Sequence, residues 1–104
     1  MYAREVSIQL KANTGADFTR AIEEDVLPRL REQTGFKEEL TFLSPNGVDA
    51  VAISLWDRKE DADAYRRDTY PQVLKDLAPL LVGTPEVEVY EVANSTSHMI
   101  PAGN

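Results

Sequence analysis

A chain of 104 residues has room for one domain, spanning residues 1–104, whose folding buries somewhat over ~60% of the surface that the unfolded chain exposes. With 42% hydrophobic and 28% charged residues the composition is that of a globular protein, and no stretch approaches the ~20 apolar residues of a membrane span. Scattered basic residues within a net charge of −7 argue against nucleic acid as a partner, and the lack of cysteine excludes a disulfide framework, a thiolate nucleophile and a cysteine metal site.

Residues 4–11 read as a first strand, with Val6, Ile8 and Leu10 on one face and Glu5, Ser7, Gln9 and Lys11 on the other. Asn13-Thr14-Gly15 turns the chain into a helix over 16–33, which carries Phe18, Ala21, Ile22, Val26, Leu27 and Leu30 at helical spacing. Pro28 lies inside it, removes a backbone donor and crowds the carbonyl four residues back, so a kink or break is predicted near Asp25. Gly35 supplies the stop. A second strand follows over 36–43 with Phe36, Leu40 and Phe42 in phase. Ser44-Pro45-Asn46-Gly47 then makes the turn of a hairpin into the third strand, 48–56.

That third strand places Val51, Ile53 and Leu55 on one face and Ala50, Ala52, Ser54 and Trp56 on the other. Small residues leading to the only tryptophan leave room beside it. Asp57 stands at a helix N-cap position with Glu60 three residues on, the spacing of a capping box, and a short helix is predicted over 58–67. Pro71 opens a further helix bearing Val73, Leu74, Leu77, Leu80 and Leu81, which Pro79 and Gly83 limit. Residues 85–93 form the last strand, with Val87 and Val89 opposite Tyr90 and Val92, and a polar tail occupies 94–104.

The order β, α, β, β, α, α, β is that of an α+β, ferredoxin-like βαββαβ unit with a split second helix and a four-stranded antiparallel sheet. Its helices cover one sheet face. The other offers apolar residues too, including Phe42 or Leu43 and Val89 or Tyr90, so a homodimer whose sheets close into an α+β barrel is expected. Arg4 and Glu5 follow Met1 too closely for a secretory apolar segment, which makes the cytoplasm the expected location. The acidic clusters 23–25 and 60–63 lack the spacing of a calcium loop and read as solvated helix faces, and no metal site is expected.

With the strand-to-helix junction and element order in hand, the chain resembles the dimeric α+β barrel proteins grouped with the antibiotic biosynthesis monooxygenases. The likeness spans about residues 3–93. It rests on the first strand and its amphipathic helix, on Thr34-Gly35-Phe36, and on Leu55-Trp56-Asp57-Arg58-Lys59-Glu60-Asp61-Ala62. The resemblance implies oxygenase chemistry without metal, flavin or other cofactor: an electron-rich phenol or enol loses a proton and itself reacts with oxygen. The protein then supplies a dry pocket, orientation and stabilisation of the developing anion. It also implies that Trp56 lines a pocket between sheet and helices for a small aromatic or polyketide-like substrate, with Tyr65 and Tyr70 as hydrogen-bond donors nearby and Tyr70 the catalytic candidate; Phe42 is a further candidate for contact with that substrate. The haem-degrading branch uses an asparagine in strand one, the tryptophan after strand three and a histidine on the following helices; here Val6 stands about where the asparagine falls, the helices after Trp56 hold no histidine, and only the tryptophan matches.

His98 is the only imidazole and the one side chain whose ordinary pKa lies near neutrality, hence a second catalytic candidate if the tail folds back. Each candidate has a plainer reading. Trp56 can be a large hydrophobe closing the core, Tyr65 and Tyr70 can bury rings and leave hydroxyls in water, and His98 can be exposed on the tail. Asn94-Ser95-Thr96 matches a glycosylation acceptor by chance when no secretory signal precedes it. Two classes of function follow, a cofactor-independent monooxygenase and a non-catalytic dimeric module that binds a small apolar metabolite.

Overall fold

Period-2 alternation in four segments becomes one antiparallel sheet in the computed structural model, which describes residues 1–100; the last four residues of the predicted tail lie outside the described residues. Strands β1 (Tyr2–Gln9), β2 (Phe36–Leu43), β3 (Asp49–Trp56) and β4 (Glu86–Glu91) lie in the order β2-β3-β1-β4. Helices α1 (Gly15–Ala21) and α2 (Leu27–Arg31) connect β1 to β2, and α3 (Lys59–Asp68) and α4 (Tyr70–Leu77) connect β3 to β4, with a 3₁₀ turn at Ala78–Leu80. This is the predicted ferredoxin-like arrangement, with its split second helix.

The first helical segment breaks where Pro28 demands it. Residues Ile22–Val26 form a π turn in which the Leu27 amide donates to the Ile22 carbonyl, five residues back. Pro28 has no N–H to offer Glu24, and widening the preceding turn moves the backbone away from the proline ring while Ile22 and Val26 stay buried. In the hairpin, the Ser44 amide donates to the Asp49 carbonyl at 2.8 Å, and Asn46 Oδ1 accepts from the amides of Val48 and Asp49.

Two expectations are corrected. Asp57 does not cap α3: its amide donates to the Gly35 carbonyl at 2.8 Å and its carboxylate pairs with Lys37 at 3.3 Å. That bond holds the strand conformation one residue longer, so extended Arg58 stands at the N-cap with no side-chain bond to the helix's free amides, and the helix starts at Lys59. Second, Phe36 is out of phase with Leu40 and Phe42. A register shift between Phe36 and Glu38 reverses the alternation, so Phe36 pairs with Trp56 on the helix-covered face while Leu40 and Phe42 pair with Ile53 and Val51 on the outer face.

The inner face is set by parity along β1. Arg4, Val6 and Ile8 point toward the helices, opposite Ser54, Ala52 and Ala50 of β3 and, for the first two, Val89 and Val87 of β4. Phe18 and Trp56 are fully buried among Leu10, Leu30, Tyr65, Val73 and Leu77. On the outer face Leu40, Phe42 and Tyr90 remain exposed beside half-buried Val51, Ile53 and Leu55.

Candidate active site

The small side chains of β3 leave a space between the sheet and the helices. Above Ala52 and Ser54 lies a cavity of about 50 Å³. Val6 and Ile8 of β1, Val26 of the π turn, Leu30 of α2, and Val73 and Leu77 of α4 make its apolar wall. The polar lining is Arg4, Glu39, Ser54, Tyr65 and Tyr70. An apolar chamber with a few convergent polar groups is the usual form of a small-molecule site.

Three of the polar residues form one row across the inner face. Register places Ser54 between Arg4 on β1 and Glu39 on β2, and Glu39 reaches that face only because of the irregularity after Phe36. Arg4 is 2% exposed. Its guanidinium lies 4.5 Å from the centre of the Tyr70 ring and 5.2 Å from that of Tyr65, so two aromatic faces take the place of a counterion. Arg4 Nε and Nη2 and the Tyr70 hydroxyl are buried without a hydrogen-bond partner among the described residues. Thr41 Oγ1 donates to Glu39, lying 2.8 and 3.0 Å from its two carboxylate oxygens.

Burial sets the proton affinities. It pushes the Tyr65 phenol up to about 12, against the pull of the Arg4 charge, and raises Tyr70, against both the charge and the close polar approach of the Arg4 guanidinium. Both tyrosines are therefore neutral donors near neutral pH. Burial also raises the Glu39 carboxyl, opposed by the Thr41 hydrogen bond, and lowers Arg4, opposed by the two tyrosines. Arg4 keeps its charge, because a guanidinium starts from so high an affinity. The result is one buried cation, two phenol donors and one proton acceptor around an apolar space.

Tyr65 and Tyr70, named from the sequence, meet at this cavity, with ring centres 6.0 Å apart. Trp56 stands behind it: the indole is fully buried, donates from Nε1 to Ser54 Oγ at 2.9 Å, and packs 5.1 Å from the Tyr65 ring. Phe42 is 52% exposed on the outer face, where the register shift puts it. His98 does fold back, but to that same side, with Nε2 3.2 Å from Oε2 of Glu38, the neighbour of Glu39 that points the opposite way. Arg4, Glu39 and Ser54 were passed over in the sequence. Arg4 and Ser54 share the parity of the core residues beside them, and that signal marks both; for Glu39 the bulge erased it.

Among the described residues no group of histidine and carboxylate side chains has the arrangement of a metal site, and no helix is long and apolar enough to cross a membrane. Comparison of the sequence with protein-family models and with curated proteins gives no match. The folded chain, in contrast, matches many solved structures. It is similar to a monooxygenase from the gene ActVA-Orf6 of Streptomyces coelicolor, solved in complex with the ligand nanaomycin D, with a TM-score of 0.77 and 16% identity over 97% of this chain and 92% of that one. The fold is that of the antibiotic biosynthesis monooxygenases. SnoaB, a cofactor-independent oxygenase from Streptomyces nogalater, has the same fold with a TM-score of 0.74 and 14% identity over 93% of this chain and 97% of its own. So does NE2512, a protein of unknown function from Nitrosomonas europaea, at 0.76 and 18% over 98% and 95%.

Proposed function

We propose that this protein is a cofactor-independent monooxygenase, cytoplasmic and homodimeric, that oxidises a small aromatic or polyketide-like molecule in the cavity between sheet and helices. The observation that carries this reading is the buried Tyr70 phenol, which lines an apolar cavity beside the Arg4 cation and whose hydroxyl has no hydrogen-bond partner among the described residues. A donor in that position costs stability unless a ligand oxygen meets it. An oxygen that gains negative charge during reaction gains more from it than a neutral one, which is the condition for rate acceleration.

In this reading an enol or phenol enters, Glu39 accepts its proton, and Tyr70 donates to the resulting oxyanion. The electron-rich carbon conjugated with that oxyanion then reacts with molecular oxygen. For a methylene between aryl rings or carbonyls the balance closes without a reductant: the carbon loses two hydrogens and becomes C=O, and the second oxygen atom leaves with both hydrogens as water. The substrate supplies all the electrons. The exposed outer face around Leu40, Phe42 and Tyr90 supports the dimer, since a second sheet laid on it buries a patch that water otherwise covers.

The test is oxygen uptake with a panel of phenols, anthrones and quinols, read beside Trp56 emission, which senses the cavity through Tyr65. Turnover is expected with at least one class and should fall at least about tenfold in Tyr70→Phe while binding persists. Saturable quenching with no oxygen consumed would replace this reading with that of a binding module. His98→Ala tests the tail, since it lowers turnover only if His98 leaves Glu38 and reaches a cavity.

A further inference from the structure

The two orphaned nitrogens of Arg4 are Nε and Nη2, which project their N–H bonds from the same edge of the guanidinium plane. The Tyr70 and Tyr65 rings present their faces to its Cζ, at 4.5 and 5.2 Å from the ring centres. That edge carries the two donors without a partner among the described residues. Two parallel donors on one edge are the fork that meets both oxygens of a carboxylate at once, a geometry that neither a single carbonyl nor a lone phenolate satisfies.

Arg4 also lacks a counter-charge. It is 2% exposed, and among the described residues it makes no ion pair; Glu39, which lines the same cavity, is engaged by Thr41 instead. A buried cation held only by ring faces is a costly arrangement, and an entering anion relieves it. The surface gives an anion no general attraction, because the chain carries a net charge of −7. Any anion that binds does so for a local reason.

We infer that the cavity takes an aromatic carboxylate, whose carboxylate is gripped side-on by Arg4 Nε and Nη2 while its ring lies in the apolar chamber. This deepens the oxygenase reading and rests on the same cavity: Arg4 anchors the carboxylate and Tyr70 faces the oxygen of the reacting phenol or enol. Arg4 is thus the specificity-determining residue, selecting acids over their esters and amides.

The test is a calorimetric titration of the native protein with 2-naphthoate and with 2-naphthamide, which share a shape and differ in charge. Naphthoate should bind at least about tenfold more tightly, a difference of about 1.4 kcal/mol. The preference should vanish in Arg4→Met, with the affinity for the amide little changed. Arg4→Lys keeps the charge and loses the fork, so it should retain only part of the preference, and it serves if Arg4→Met does not fold. Equal affinities in the native protein, or a preference that survives Arg4→Met, would overturn the carboxylate assignment and leave the pocket reading standing. Binding of neither ligand would overturn both.

Discussion

Replacing Gly35 with alanine isolates the contact that ties the end of the first helical segment to the start of α3. Gly35 has φ +78°, where an alanine costs about 1–2 kcal/mol from its Cβ alone. An added Cβ would also stand 2.0 Å from Asp61 Oδ2 and 2.8 Å from Asp61 Cβ. Rotating the Asp61 side chain relieves the first clash but not the second, because its Cβ is fixed to the helix backbone. Asp61 is itself buried and paired with Arg58 at 3.0 Å, so moving it disturbs a filled site, adding roughly 1–3 kcal/mol. The sum is about 2–5 kcal/mol, which for a domain of this size lowers Tm by roughly 10–25 °C. Gly47→Ala provides the control: its φ is +76° and nothing lies within 4 Å of the new Cβ, so it bears the conformational cost alone. Scanning calorimetry of the two variants should show Gly35→Ala melting well below Gly47→Ala. Equal losses would refute the packing argument.

Trp56→Phe removes the indole bond to Ser54 and leaves unfilled space among Phe36, Tyr65 and Ser54, so denaturant unfolding should report a loss of about 1–3 kcal/mol; an unchanged midpoint would deny Trp56 its packing role. Tyr65, with its phenol pushed up to about 12 from 10.0, keeps its proton in the folded state after the unfolded chain has released it. Its contribution to stability is therefore complete below pH ~10 and lost as pH rises toward ~12, and tyrosinate absorbance should show one side chain ionising last in native protein; Tyr65→Phe should flatten that decline. Phe42→Glu places a charge on the outer sheet face, so sedimentation should show a homodimer turned into monomers, with little loss of monomer stability because the side chain is 52% exposed.

Much of the fold was legible because it depends on local periodicity. The alternation in β1 and β3, the turn at Ser44–Gly47 and the proline positions were sufficient to order the elements, and Pro28 marked the π turn to within a few residues. The candidate site was legible in part: Tyr65 and Tyr70 converge on the cavity, and the small residues of β3 do make the room beneath it. Asp57 misled because its spacing to Glu60 fits a cap, while a tertiary bond to Gly35 holds its backbone in the strand.

Composition and periodicity alone determined the class of the chain, its element order and the faces of β1 and β3, since these follow from bonds and burial within a few residues. Tertiary structure decided which polar groups share a space. The register shift after Phe36 sent Glu39 inward and Phe42 outward, and only the assembled sheet and helices set Arg4 against Tyr65 and Tyr70 without a counter-charge. Burying a cation depends on what packs around it from distant segments, and local spacing carries no trace of that.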